Sequence, residues 1–122
     1  MAGKTSGKTR ELKPRMRVVC GRNIALGPGK VELLALVGET GSIGEAAKRM
    51  EMSYMRAWTL IQTMNECFKA PLVVTARGGQ KGGGAKLTES GRQALALYQQ
   101  IEEESVHATE TTWKALQRLL KD

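Results

Sequence analysis

The chain has 122 residues, with 19 Lys and Arg against 12 Asp and Glu, and a formal net charge of +7. This length fits one domain, or one domain plus an extended arm, and an apolar content of 41% is enough to build a core. One His and two Cys provide neither a zinc-binding cluster nor a recognisable nucleophile triad, so the composition argues against an enzyme, a metal site and a cofactor.

Nothing in the sequence predicts a membrane or an export pathway. No apolar run approaches the roughly 18 residues that a membrane span requires. The basic N-terminus lacks the apolar core of a secretion signal. We therefore expect a cytoplasmic, nucleoid-associated protein in which Cys20 and Cys67 are reduced thiols.

Positive charge is concentrated at the start of the chain. Residues 1–30 contain eight Lys or Arg and one Glu, whereas residues 88–122 contain four basic and six acidic residues. A basic front and a mildly acidic back favour a protein that presents one end to a polyanion. The plainer alternative is a solvated basic tail that keeps the protein soluble.

The first predicted elements are an arm, a hairpin and a helix. Residues 1–12 are rich in Gly, Ser, Thr and Lys, which predicts a disordered basic arm. Residues 15–26 alternate in polarity around a turn at 21–23, which predicts a β-hairpin. Pro28 lies at the start of the next predicted helix and Gly41 ends it. The apolar side of this helix consists of Val31, Leu34, Leu36 and Val37.

Two further helices, joined by a tight turn, are predicted after Gly41. Ser42 with Glu45 forms a capping box at the start of a short helix. Ser53 caps a longer helix, whose buried stripe consists of Ala57, Leu60, Ile61, Met64 and Phe68. Such a pair is typical of a helix-turn-helix, whose second helix enters the DNA major groove.

Residues 72–87 predict a β-hairpin with a glycine-rich tip, which would form the wing of a winged helix-turn-helix over residues 13–87. In this glycine run no glycine directly precedes Lys-Ser or Lys-Thr, so it is not a phosphate-binding P-loop. A floppy surface turn is the plain alternative. The flanking basic residues favour a loop that faces DNA.

The buried stripe of the longer helix leaves the first half of its opposite side to reach base edges. Arg56 is suited to a phosphate or to a bidentate contact with guanine, and the hydroxyl of Tyr54 to a phosphate or base. Trp58 has an equally good structural role at the boundary of helix and wing. The residues predicted to contact DNA are Ser42, Ser53, Tyr54, Met55, Arg56, Trp58, Thr59 and Gln62 in the helix-turn-helix, and Arg77, Gln80, Lys81 and Lys86 in the wing.

The C-terminal segment, residues 88–122, is predicted to be one long helix that begins at Thr88. Its apolar residues need a partner surface, so we expect it to form a homodimer interface. The predicted interface residues are Leu95, Tyr98, Ile101, Trp113, Leu116 and Leu120. The predicted fold class is therefore mainly α with small β: a winged helix-turn-helix with an N-terminal hairpin and a long C-terminal dimerisation helix.

Residues 28–101 resemble the N-terminal domain of ModE-type molybdate-dependent regulators, which is related to the LysR-type DNA-binding domain. The motifs that carry this resemblance are SI-x-x-AA, SY-x-x-AW, the Met64-Asn65 pair and GG-x-x-GGGA-x-LT. The resemblance implies a homodimeric regulator whose recognition helix begins at Ser53, Tyr54 and Arg56 and whose wing runs from Arg77 to Lys86. ModE proteins continue into a molybdate-binding module. Because this chain ends at Asp122, we expect it to contain no such module and a separate protein to sense the effector, while control of molybdenum-linked genes stays an analogy.

These observations favour a sequence-specific transcriptional regulator that binds double-stranded DNA as a homodimer. Recognition helix 53–67 would lie in the major groove and the wing on the backbone or in the minor groove. One alternative is an architectural DNA-binding protein dominated by the basic arm and wing. Another is a protein-interaction module of a multi-chain regulator.

Overall fold

Helices and two short antiparallel hairpins make up the computed structural model, which describes residues 9–76 and 84–121. The predicted class, mainly α with small β, is confirmed. Within the described residues no helix is long and apolar enough to cross a membrane. In chain order the elements are β1 (Val18–Cys20), β2 (Asn23–Leu26), α1 (Pro28–Thr40), α2 (Ile43–Arg49), α3 (Tyr54–Cys67), β3 (Val73–Ala76), β4 (Gly84–Leu87), α4 (Glu89–Ala108) and α5 (Glu110–Gln117).

Helix α1 lies at the centre of the core, in contact with α2, α3, α4, β2 and β4. Leu33, Leu34 and Val37 are fully buried. The sequence prediction missed Leu33, because it assumed that a single side of α1 is apolar and packed. A helix that is surrounded by other elements is instead buried on several sides, so its apolar residues do not form one narrow stripe.

The predicted N-terminal hairpin is present, with Gly21 in the left-handed region (φ +62°) at its turn. Strand β2 packs against α1 and α3, and Ala25 and Leu26 are buried. Strand β1 is exposed along its length. The hairpin therefore covers one side of the helical core with its second strand.

The segment before β1 packs against the C-terminal helices. The phenol of Tyr98 donates a hydrogen bond of 2.7 Å to the carbonyl oxygen of Met16. The guanidinium of Arg10 donates a bond of 2.6 Å to the carbonyl oxygen of Lys121. Arg10, which belongs to the arm predicted to be disordered, thus contacts the C-terminal end of the described chain; residues 1–8 of that arm lie outside the described part.

The single C-terminal helix predicted for residues 88–122 is divided into α4 and α5 by a break at Thr109. The Thr109 hydroxyl donates hydrogen bonds to the carbonyl oxygens of Ser105 (2.7 Å) and Val106 (3.3 Å). Such bonds from a Thr side chain to the preceding turn compete with the regular backbone ladder and bend helices. Thr111 and Thr112, which follow after Glu110, are also β-branched and lower the helix propensity here further.

Candidate nucleic-acid interface

Two serines begin the two helices of the helix-turn-helix. The hydroxyl oxygen of Ser42 accepts a hydrogen bond of 3.0 Å from the backbone N–H of Glu45. That of Ser53 accepts one of 3.1 Å from the N–H of Arg56. Both serines therefore cap their helices as predicted, but the capping box is incomplete, because the N–H of Ser42 donates to the hydroxyl oxygen of Thr40 (3.2 Å) and not to the side chain of Glu45. Each hydroxyl keeps its own proton, so either serine can also donate to a phosphate oxygen.

Helix α3 is anchored by one buried face. Ala57, Ile61 and Met64 are almost completely inaccessible. Ala46 and Ala47 of α2 are also buried, and their small side chains allow the two helices to pack closely. The other two residues of the predicted stripe, Leu60 and Phe68, are only partly buried against the core, and Phe68 lies just past the end of α3. The buried face determines which side of α3 remains available.

The outward side of α3 carries the residues predicted to contact DNA. Tyr54, Met55 and Trp58 are 52%, 63% and 39% exposed, which is unusual for large apolar side chains. Arg56 and Thr59 are also exposed, and Gln62 is half-buried. The sequence has no carboxylate between Glu51 and Glu66, so these residues present hydroxyl, amide, guanidinium and apolar groups. The exposed Glu66 follows one turn further along α3.

The wing begins as a regular hairpin. Strands β3 and β4 pair antiparallel, with Val73 opposite Leu87 and Val74 opposite Lys86. The backbone N–H of Ala85 donates a bond of 2.9 Å to the carbonyl oxygen of Gly41, which fastens β4 to the end of α1. Lys86 is exposed. The other predicted wing contacts, Arg77, Gln80 and Lys81, lie outside the described residues.

One residue that joins α3 to the wing was missed as a site residue. The Asn65 side-chain oxygen accepts hydrogen bonds from the N–H groups of Leu72 (2.8 Å) and Val73 (3.2 Å). Its amide nitrogen donates one of 3.0 Å to the carbonyl oxygen of Val73. In the sequence Asn65 stood out only as part of the Met64-Asn65 pair, because its partners lie seven and eight residues further along the chain.

The predicted dimer residues fall into three groups. Tyr98 is 2% exposed and packs inside its own protomer, so the prediction that it contacts a partner was wrong. Leu95 and Trp113 are half-buried, and Leu95 packs against the core. The apolar side chains of α4, α5 and the turn after them that are exposed include three predicted residues, Ile101, Leu116 and Leu120, and three that were missed, Leu97, Val106 and Leu119.

The two groups with shifted pKa values are not among the residues predicted to contact DNA. Burial raises the pKa of Tyr98, Glu102 raises it further and Arg15 partly offsets this. Burial also raises the pKa of the Cys67 thiol, as does its hydrogen bond with Cys20. Among the described residues, no group of three or more His, Cys, Asp or Glu is placed to hold a metal ion.

Several bacterial proteins are similar to part of this chain. The protein MopB of Rhodobacter capsulatus, described as a molybdenum-pterin-binding protein, is 43% identical over 68% of this chain and 33% of its own length. The molybdenum transport protein ModE of Azotobacter vinelandii is 44% identical over 64% of this chain and 29% of its own. The ModE dual regulator of Escherichia coli K12 is 41% identical over 58% and 27%. The chain thus spans about a third of the length of these relatives, which confirm the resemblance to ModE-type regulators.

A solved structure has the same fold. Full-length CbnR, determined in complex with its target DNA, is 20% identical over 69% of this chain and 27% of its own, with a TM-score of 0.52. This likeness confirms the winged helix-turn-helix architecture. Residues 29–92, from α1 to the start of α4, match the family described as "Bacterial regulatory helix-turn-helix protein, lysR family". The chain belongs to this lysR family of bacterial helix-turn-helix proteins.

Proposed function

We propose that this chain is a sequence-specific, dimeric DNA-binding regulator of transcription, with α3 in the major groove and the wing on the DNA backbone. The observation that carries the proposal is the outward side of α3, which is exposed, has no carboxylate from Tyr54 to Asn65 and is fixed by a buried opposite face. The major groove is about 12 Å wide and admits one such helix. The names of the relatives support the proposal, since ModE of Escherichia coli is a DNA-binding transcriptional regulator and CbnR was solved on its target DNA.

The residues of the exposed side have chemistry suited to base edges. Arg56 fits a guanine or a phosphate, and Gln62 fits an adenine through paired donor and acceptor groups. The methyl group of Thr59 fits apolar contact with a thymine methyl group. Lys86 on β4 fits a phosphate contact from the wing. Base reading by α3 and backbone contact by the wing together give a specific complex.

The proposed dimer places two copies of α3 on one face of DNA. The exposed apolar side chains of α4 and α5, among them Ile101 and Leu116, supply the surface that a second copy would cover. Twofold symmetry then requires half-sites about 34 Å apart or a multiple of this distance. The expected binding site is a pseudo-palindrome.

Selection from a random pool of DNA duplexes, at near-physiological salt, tests this proposal. An enriched inverted repeat is the expected result. Measurable binding without enrichment would contradict sequence reading and favour an architectural role, with affinity dominated by phosphate contacts and salt. Absence of binding to any duplex, even at low salt, would contradict DNA binding and favour a protein partner.

The selected site then allows a test of Arg56. In a guanine contact, Arg56→Ala costs about 1–3 kcal/mol and relaxes specificity at one base position. In a phosphate contact it weakens binding to all sequences equally. Lys114→Ala, which removes a charge from α5, is the matched control and should leave specificity unchanged. Unchanged affinity and specificity in Arg56→Ala would remove this residue from the interface.

A further inference from the structure

Residues 71–73, at the base of the wing, are held from two sides, by Asn65 and by Thr88. From α3, Asn65 uses both its carbonyl oxygen and its amide nitrogen on the backbone of Leu72 and Val73. From the start of α4, the hydroxyl of Thr88 donates a bond of 2.6 Å to the carbonyl oxygen of Pro71. The Thr88 N–H donates one of 2.9 Å to the carbonyl oxygen of Leu72.

The contacts made by Asn65 are directional, unlike those of an apolar side chain. A leucine or methionine at this position would be free to slide along the strand, whereas three hydrogen bonds to two consecutive residues set both the distance and the register of β3 relative to α3. The side chain is half-buried, so competition from water is reduced. Asn65 lies three residues after Gln62, on the same helix that carries the proposed base-reading groups.

We infer that Asn65 is a positioning residue that sets where the wing lies relative to α3, so that helix and wing reach the same DNA together. This inference rests on the proposed function. Replacing Asn65 would then have two distinct effects, one on the stability of the fold and one on the phosphate contacts made by the wing. Lys86 reports on the second effect, because it is exposed on β4, opposite Val74, one residue along from the bonded Val73.

The salt dependence of DNA binding distinguishes these effects. The logarithm of the affinity falls linearly with the logarithm of the salt concentration, and each phosphate contact adds about 0.9 to the magnitude of this slope. Lys86→Ala is therefore expected to lower the magnitude of the slope by about 1. Displacement of the wing would remove the same contact, so Asn65→Ala is expected to lower the slope by about 1 or more. Adding Lys86→Ala to Asn65→Ala should then lower it no further. Loss of stability alone does not change the slope of the protein that remains folded.

Tyr98→Phe is the matched control. It removes the hydrogen bond to Met16 and so destabilises the fold at a point away from the wing. Its salt slope should equal that of the wild type, and its combination with Lys86→Ala should show the full decrease due to Lys86. Fluorescence anisotropy on the selected duplex, below the thermal transition of every variant, provides these slopes. If Asn65→Ala has no cooperative transition, Asn65→Asp replaces it. Asp keeps one accepting oxygen, while its second carboxylate oxygen repels the carbonyl oxygen of Val73 in place of the donated bond and adds a negative charge.

The outcomes are separable. A wild-type slope in Asn65→Ala, with an effect that adds to that of Lys86→Ala, would overturn the inference while leaving DNA binding intact. An unchanged slope in Lys86→Ala would overturn it as well, since this strand would then hold no phosphate contact to position. If the wild type bound no duplex, the proposed function itself would fail, which the same titration reveals before any variant is made.

Discussion

Gly91 is a residue whose type is dictated by its neighbours. A Cβ atom at this position would lie 2.1 Å from the carbonyl oxygen of Leu72 and 3.3 Å from the Cβ of Leu87. The Leu72 oxygen cannot move freely, because it accepts the hydrogen bond from the N–H of Thr88. The start of α4 can therefore approach the wing this closely only with glycine here.

We expect Gly91→Ala to lower the free energy of unfolding by about 3 kcal/mol or more, because the added methyl group forces helix and strand apart. Urea denaturation followed by circular dichroism measures this change. Gly29→Ala in α1 is the control, since a Cβ atom at Gly29 would have no neighbouring atom within 4 Å. This second variant should be neutral or more stable by up to about 1 kcal/mol. Equal stability of the two variants would contradict the close approach at Gly91.

Tyr98 is expected to make stability fall at high pH. Its pKa is raised above the ordinary value of 10.0, mainly by burial, so the folded state favours the neutral phenol. The corresponding contribution to stability is present below the unfolded-state pKa and is lost as the pH rises through the raised folded-state value. Ionisation would also remove the bond that the phenol donates to Met16.

Tyr98→Phe should lower the free energy of unfolding by about 1 kcal/mol at about pH 7. The difference between wild type and variant should then shrink above about pH 10. Urea titrations of both proteins at several pH values give the difference in the free energy of unfolding. Contributions from other titrating groups are common to both proteins and cancel in this difference. A difference that stays constant to about pH 11 would show that Tyr98 does not titrate with unfolding.

At the scale of elements, the turn between α2 and α3 contains a strained residue. Glu51 has φ +57°, in the left-handed region that disfavours residues with a Cβ. Two backbone hydrogen bonds hold the turn. The N–H of Glu51 donates to the carbonyl oxygen of Lys48, and the N–H of Met52 donates to that of Ala47. These bonds maintain the angle between the two helices despite the local strain.

Glu51→Gly is expected to raise the free energy of unfolding by about 0.5–1 kcal/mol, because glycine adopts this conformation without a steric penalty. Thermal unfolding measures the gain. Glu51→Ala removes the same charge but keeps the Cβ, so it should show no such gain. A gain of equal size in both variants would assign the effect to the carboxylate and not to the backbone.

At the scale of the whole molecule, the exposed apolar surface of α4 and α5 is the feature that the single chain leaves unexplained. Ile101 and Leu116 are 43% and 52% exposed. In a symmetric dimer, a glutamate introduced at either position would be present twice. Each carboxylate would be buried in the interface without a cation to pair with. We expect Ile101→Glu and Leu116→Glu each to raise the dimer dissociation constant by at least about tenfold.

Sedimentation equilibrium without DNA measures this change. Met55→Glu is the control, because Met55 is as exposed as these residues but lies on α3, outside the proposed interface. It should leave the dimer intact. A monomeric wild type, or a dimer that is insensitive to both α4 and α5 variants, would contradict the proposed interface.

Local patterns in the sequence were sufficient to predict most of the elements. Alternating or helical periodicity, serine caps and glycine or proline stops predicted both hairpins, α1, α2 and α3, and the stripe at Ala57, Ile61 and Met64 identified the outward side of α3 by subtraction. These features depend on residues a few positions apart, whose propensities and capping bonds act along the chain.

Which of these elements contact one another, and through which residues, was decided only by the tertiary structure. The burial of Leu33 follows from the elements that surround α1, and that of Tyr98 from a segment 82 residues distant. Local periodicity marked Tyr98 as apolar but did not identify what covers it. The role of Asn65 likewise depends on the backbone of Leu72 and Val73, which α3 meets only after the chain has turned back. Long-range contacts between a side chain and a distant backbone have no sequence period, because almost any residue can supply a backbone N–H or C=O.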